Sequence, residues 1–340
     1  MHDTYFLLIS VIVLATIFDF INGFHDTANA IATSVSTRVL SPKVAVSMAA
    51  VLNMVGALSG TAVAKTVGVG LVESYSITQI TVISALISAI VWDIITWYFG
   101  LPTSSSHAVL SSIVGAAIAT AGTSVIIQKG VYKVLLGLII SPVIGIILGF
   151  FLMVFLIWLF RRSAPSLVST LFGRLQILSA AYMAFSHGSN DAQKTMGIIA
   201  GALFIVPEYR EYVSDAAGKL FIPFWIVLMA HAAIGLGTLS GGWRIVHTMG
   251  GRLTRLKPRS GFCAETAAAI SILFATELHL PVSTTHVTAG AITGVGSIQR
   301  LKAVRWGVAT NILWAWVLTI PASGIVGWGS MYVFNLFFRG

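Results

Sequence analysis

Charge is scarce in this chain. Only 9% of its 340 residues are Asp, Glu, Lys or Arg, against roughly 25% in an ordinary soluble domain, whereas 56% are hydrophobic. That balance excludes a soluble globular domain and implies a polytopic membrane protein. Cysteine is nearly absent: Cys263 stands alone, which excludes an intramolecular disulfide and a thiolate metal cluster. The start of the chain lacks a basic n-region, and the apolar run Tyr5–Phe18 has no small-residue cleavage site after it, so it reads as a first span that is retained. Acidic residues number 11 against 20 Lys and Arg, a net charge of +9. Because most of the basic residues lie between apolar runs, this excess reads as loop charge that fixes orientation, not as a nucleic-acid surface.

About 20 apolar residues cross a bilayer. By that measure the chain divides into an interrupted element at 4–38, spans at 43–67, 78–99, 102–121 and 130–160, a polar linker at 161–174, a second interrupted element at 175–206, and spans at 222–241, 261–279, 281–296 and 306–338. Each half, 1–160 and 175–340, holds five elements. An odd number per half makes the halves inverted repeats. With the N-terminus outside, thirteen basic residues face inward and six outward, in keeping with the positive-inside rule; both termini are then extracellular, and the basic loop 243–259 is cytoplasmic. Folding 78–121 and 261–296 as re-entrant hairpins leaves the same sidedness, so charge does not choose between the two arrangements.

Two polar motifs occur twice inside these apolar stretches. Asn22-Gly23-Phe24-His25-Asp26-Thr27-Ala28-Asn29 returns as His187-Gly188-Ser189-Asn190-Asp191-Ala192-Gln193-Lys194, and Leu101-Pro102-Thr103-Ser104-Ser105-Ser106-His107 returns as Leu280-Pro281-Val282-Ser283-Thr284-Thr285-His286. A carboxylate at the bilayer centre costs roughly 2.5–3.5 kcal/mol on insertion scales, so its duplication points to a transported ion. Asn22, Asp26 and Asn29 share one helical face, as do His187, Asp191 and Lys194. Gly23 and Gly188 permit a helix break before each Asp, which would free backbone carbonyls for a cation. The Ser/Thr runs open apolar helices with hydroxyls and free N–H groups, a suitable cradle for a tetrahedral oxyanion; read singly, each is an ordinary helix cap. Of the acids in apolar spans, only Asp26 and Asp191 are duplicated; Asp19, Asp93, Glu265 and Glu277 are not.

At these four motifs the chain resembles the inorganic phosphate transporter (PiT) family, over almost its whole length. The resemblance implies an all-α fold of two inverted repeats with interrupted or re-entrant helices meeting at mid-membrane, and a symporter that imports inorganic phosphate on a sodium or proton gradient, with no other cofactor. It assigns Ser104, Ser105, Ser106, Ser283, Thr284 and Thr285 to the anion. By the same resemblance Asp26, Asn29 and Asp191 would be cation or coupling residues; position in the motifs adds Asn22, His25, Asn190 and Lys194 to the candidate coupling set, with Asn22, Asp26, Asn29, Asn190 and Asp191 as candidate sodium ligands and Asp26 and Asp191 facing the anion as well. Two departures lean toward the proton. His25 and Lys194 stand where the family pattern has Asn; a fixed ammonium can occupy the place of a bound sodium, and an imidazole titrates near neutrality. An enzyme is disfavoured, since no duplicated nucleophile lies beside a base and no His-Glu-x-x-His occurs. A sulfate permease of the same fold and a passive anion channel are the alternatives. Gly56 and Gly60 form a small-xxx-small pattern suited to packing within the subunit or to a homodimer.

Overall fold

The computed structural model describes residues 2–61, 63–64, 72, 77–278, 282–299 and 303–338. Leu280 and Pro281 of the second Pro-Ser motif, and the basic residues Lys65, Arg300, Lys302 and Arg339, lie outside this set. Ten principal helices carry the fold: α1 His2–Ser36, α2 Pro42–Gly56, α3 Gln79–Tyr98, α4 Ser105–Ala121, α5 Gln128–Leu159, α6 Pro165–Phe204, α7 Phe224–Ser240, α8 Pro258–Glu277, α9 Thr284–Gln299 and α10 Trp306–Phe338. Five of them, α1, α3, α5, α6 and α10, are long and apolar enough to cross a membrane. α4 and α9, with 17 and 16 residues, fall short of the ~20 that a full span needs. After α7 the chain bends by 60° into a short helical segment at 243–252, where Arg244 donates to the Tyr98 carbonyl and stacks on the rings of Trp97 and Tyr98.

Packing is preserved when the halves are exchanged. α1 lies on α7 and α6 on α2; α4 on α10 and α9 on α5; α1 on α3 and α6 on α8. Each half therefore packs largely against the other, and neither α1 nor α6 is buried by its own half alone. Pro142 within α5 and Pro321 within α10 stand 179 residues apart, the lag that separates Pro102 from Pro281.

The expected interruption of the motif helices is not found. α1 is continuous over 35 residues and α6 over 40. The glycines serve close approach instead: a Cβ on Gly23 would sit 2.4 Å from the Ile234 carbonyl oxygen of α7, and one on Gly188 2.1 Å from that of Asn53 on α2. Small residues let backbones meet where bulkier ones cannot. Gly56 is likewise used within the chain, since its Cβ would meet the Phe185 carbonyl at 2.0 Å. Two other boundaries differ from expectation. Residues 165–174, read as part of a polar linker, are the first turns of α6, opened by Pro165 at a position that tolerates proline. α2 ends at Gly56, short of the expected residue 67.

Three helices are tied by one buried carboxylate. Glu265 of α8, 1% exposed, accepts hydrogen bonds from Thr33 of α1 and from Ser179 and Gln176 of α6. Gln176 in turn accepts from Thr37 at 2.9 Å. Glu277, by contrast, is exposed at the end of α8 and lines no buried route. Replacing Glu265 with Ala takes the acceptor from the buried donors of Thr33 and Gln176, at about 1–3 kcal/mol each, while Ser179 keeps the Gln176 carbonyl, so the E265A protein is expected to unfold at lower temperature in detergent. The same measurement tests the glycine contacts. Gly188→Val should destabilise by about 1–3 kcal/mol, whereas Gly173→Ala, where a Cβ meets nothing within 4 Å, should stabilise by up to ~1 kcal/mol through helix propensity.

Candidate ion and anion site

The four duplicated motifs converge on one closed core. α1 and α6 bring their acidic faces together, and α4 and α9 point their N-termini at them. Asp26, His187 and Asp191 each offer a ligand atom within 4.8 Å of the others. At α9, Thr285 donates to Asp26 Oδ1 and Thr284 to Asp191 Oδ2, both at 3.3 Å. Asn29 donates to Thr285 at 2.9 Å and to Thr284 at 3.3 Å. At α4, Lys194 Nζ donates to Ser106 Oγ and to Asp191 Oδ1, the latter at 2.5 Å. Every one of these side chains is at most 4% exposed, so the core is shut off from both sides.

The six hydroxyls divide by role. Ser104 Oγ accepts from the His107 amide at 3.3 Å and Ser283 Oγ from the His286 amide at 3.2 Å, so these two are N-caps in the ordinary sense. Ser105, Ser106, Thr284 and Thr285 occupy the first helical positions. Ser105 Oγ has no hydrogen-bond partner among the described residues. Behind the hydroxyls, the rings of His107 and His286 stack at 5.1 Å, and Trp316 of α10 stacks on His286 at 4.0 Å while its indole N–H donates to the Pro102 carbonyl. The histidines thus meet across the junction of α4 and α9 and brace the two helix ends.

The two halves differ beside the acids. His25 donates from Nδ1 to Asp26 Oδ1 at 2.8 Å, and its Nε2 lies 3.0 Å from Thr96 Oγ1 of α3. In the second half Asn190 donates to Thr276 Oγ1 of α8 at 2.9 Å. Asn22 is buried next to the site, with Oδ1 unpartnered.

His187, read from the sequence only as sharing a face with Asp191, and two threonines were not assigned to the site. His187 donates from Nδ1 to Asn53 Oδ1 at 3.1 Å, which in a neutral ring leaves Nε2 as an acceptor. That nitrogen faces Asp191 Oδ2 at 3.3 Å. Two acceptors opposed at this distance require a proton or a cation. Thr96 and Thr276 are the second omission; both lie just upstream of a Pro-Ser motif, at nearly the same offset from it, and extending the repeat comparison toward the N-terminus would have marked them.

Known proteins point the same way. Residues 22–327 match the phosphate transporter family. The chain is 49% identical to a probable low-affinity inorganic phosphate transporter of Rhizobium meliloti (strain 1021) over 94% of each chain, and 45% identical to one of Bacillus subtilis (strain 168) over 98% of each. Its fold is similar to that of a solved sodium-dependent phosphate transporter, with a TM-score of 0.87 at 27% identity, covering 98% of this chain and 100% of that one. Taken with the converged motifs, these matches establish that the chain belongs to the phosphate transporter family and is a membrane transporter, not an enzyme.

Proposed function

We propose that the protein is a symporter that carries inorganic phosphate inward together with a monovalent cation, sodium or proton, through the cell membrane. The observation that carries this reading is the opposition of acceptors at Asp26, His187 and Asp191, next to the hydroxyls of Ser105, Ser106, Thr284 and Thr285. A negatively charged core repels a lone anion, so the anion enters with a compensating charge. The solved relative bears sodium dependence in its name, which supports cation coupling here. In the second half Lys194 lies on Asp191, in keeping with a resident ammonium that takes the place of one bound ion.

The two halves are read as inverted repeats, 1–160 and 175–340 around the chain at 161–174, with both termini outside and the 243–259 loop inside. The exchange symmetry of the packing supports this, and the short α4 and α9, each beginning at the core, fit partial spans that enter the membrane and turn back.

Proteoliposomes with an imposed inward sodium or proton gradient should accumulate phosphate above equilibrium. Uptake that only equilibrates under either gradient identifies a passive channel. Lys194→Asn should increase the dependence of uptake on sodium; unchanged dependence removes the resident-ammonium role. Phosphate and sulfate share shape and size, but phosphate retains one or two P–O–H donors near neutrality and sulfate has none. Asp26 and Asp191 accept from the first and repel the second. Arsenate should therefore compete with phosphate, and sulfate should not. Asp26→Asn or Asp191→Asn should abolish accumulation, whereas Ser105→Ala, which loses one hydroxyl bond of about 0.5–1.5 kcal/mol, should weaken uptake about tenfold at most.

A further inference from the structure

Asp19 belongs to neither copy of the duplicated motifs, and its surroundings are unusual. It is fully buried on α1, beside Thr195 and Asn22 and within electrostatic reach of Asp191 and Lys194. Neither carboxylate oxygen closes a hydrogen bond, and the same holds for Asn22 Oδ1 and Thr195 Oγ1. Four oxygens from side chains at most 1% exposed thus gather from α1 and α6, and none of them closes a hydrogen bond. Buried polar atoms in that state are rare, and each calls for a partner that the side chains do not supply.

Charge sets the sign of that partner. Asp191 is matched by Lys194 at 2.5 Å, which leaves the Asp19 carboxylate as one uncompensated negative charge in the group. A proton on Asp19 would cancel its charge but engage at most one of the neighbouring oxygens. A hard monovalent cation accepts lone pairs from all four, through the carboxylate, amide and hydroxyl ligands that such ions prefer.

Symmetry shows that the cluster is not a by-product of the repeat. At the lag of 165 residues that relates Gly23 to Gly188, Asp19 corresponds to Ala184 and Thr195 to Ala30, both fully buried. One half builds an oxygen cage where the other fills the space with methyl groups. The cage also lies beside Lys194, the residue that departs from the repeat by placing an ammonium on the motif acid.

We propose that Asp19, upstream of the first duplicated motif, forms a sodium site with Asn22 and Thr195 at the motif ends, which takes the ion that Lys194 displaces from Asp191. The inference rests on the symport reading and specifies its cation. Binding of radiolabelled sodium to the purified full-length protein in detergent tests it, with phosphate binding measured on the same samples. Wild type should bind sodium saturably. Asp19→Asn and Thr195→Val should each weaken sodium binding at least about tenfold, and Thr195→Ser, which keeps the hydroxyl, should bind as wild type does. Retained phosphate binding shows that the variants are folded; if Asp19→Asn loses it, Thr195→Val carries the comparison alone. Undiminished sodium binding in either of the first two variants overturns the site. So does wild-type protein that binds phosphate but no sodium, an outcome that leaves proton symport standing. Absence of phosphate binding in wild type refutes the symport reading separately.

Discussion

The buried ammonium of Lys194 sets the terms for the rest of the core. It is 1% exposed and donates at once to Asp191 of its own helix and to Ser106 at the start of α4. A lysine so far from water is tolerable only when paired and hydrogen-bonded. Asp191, opposed on its other side by His187, requires the same ammonium to remain ionised beside an acceptor. A charge from the opposite half is thus bonded to the start of α4, and Lys194 bridges its serine run to Asp191.

Exchange of the halves leaves the packing pattern intact, so the departures from symmetry stand out against a constant frame. His25 appears where the second half has Asn190, and Asp93, fully buried, lies within electrostatic reach of it. The corresponding turn of α8 holds Ile272 and Leu273. Lys194 appears where the first half has Asn29, and Asp19 lies beside it, with Ala184 at the matching place. Each added base comes with an added acid, and each missing base with an apolar residue.

Much of this was legible in the sequence. Hydropathy located all ten helices, because a run that must cross or line a membrane core leaves a long apolar signature. Duplication marked the candidate site, because Asp26 and Asp191 occupy matching polar motifs and the fold brings the two together. Gly23 and Gly188 misled. The sequence displays a glycine without displaying what lies against it, and a breakpoint and a close helix contact look alike until the carbonyls of Ile234 and Asn53 are seen. Glu265 and Asp19 were equally opaque for another reason. Their partners come from helices far apart in the chain, and no second copy marks them.

The hydrogen bonds at α9 suggest how two ions become interdependent under the proposed symport. Thr284 and Thr285 each own one hydroxyl proton, and here both protons are given to Asp191 and Asp26. An anion arriving at α9 competes for those same donors. Once they turn toward it, each carboxylate loses one donor and holds a cation, or the P–O–H of phosphate itself, more strongly. Linkage requires the converse: a cation on Asp26 or Asp191 releases the threonines and strengthens anion binding by the same factor. A helix end that carried only fixed cations would bind the anion without this exchange. Hydroxyls shared between carboxylate and substrate make the occupancy of one site a condition for the other, and coupling then follows from a limited supply of protons at the end of one helix.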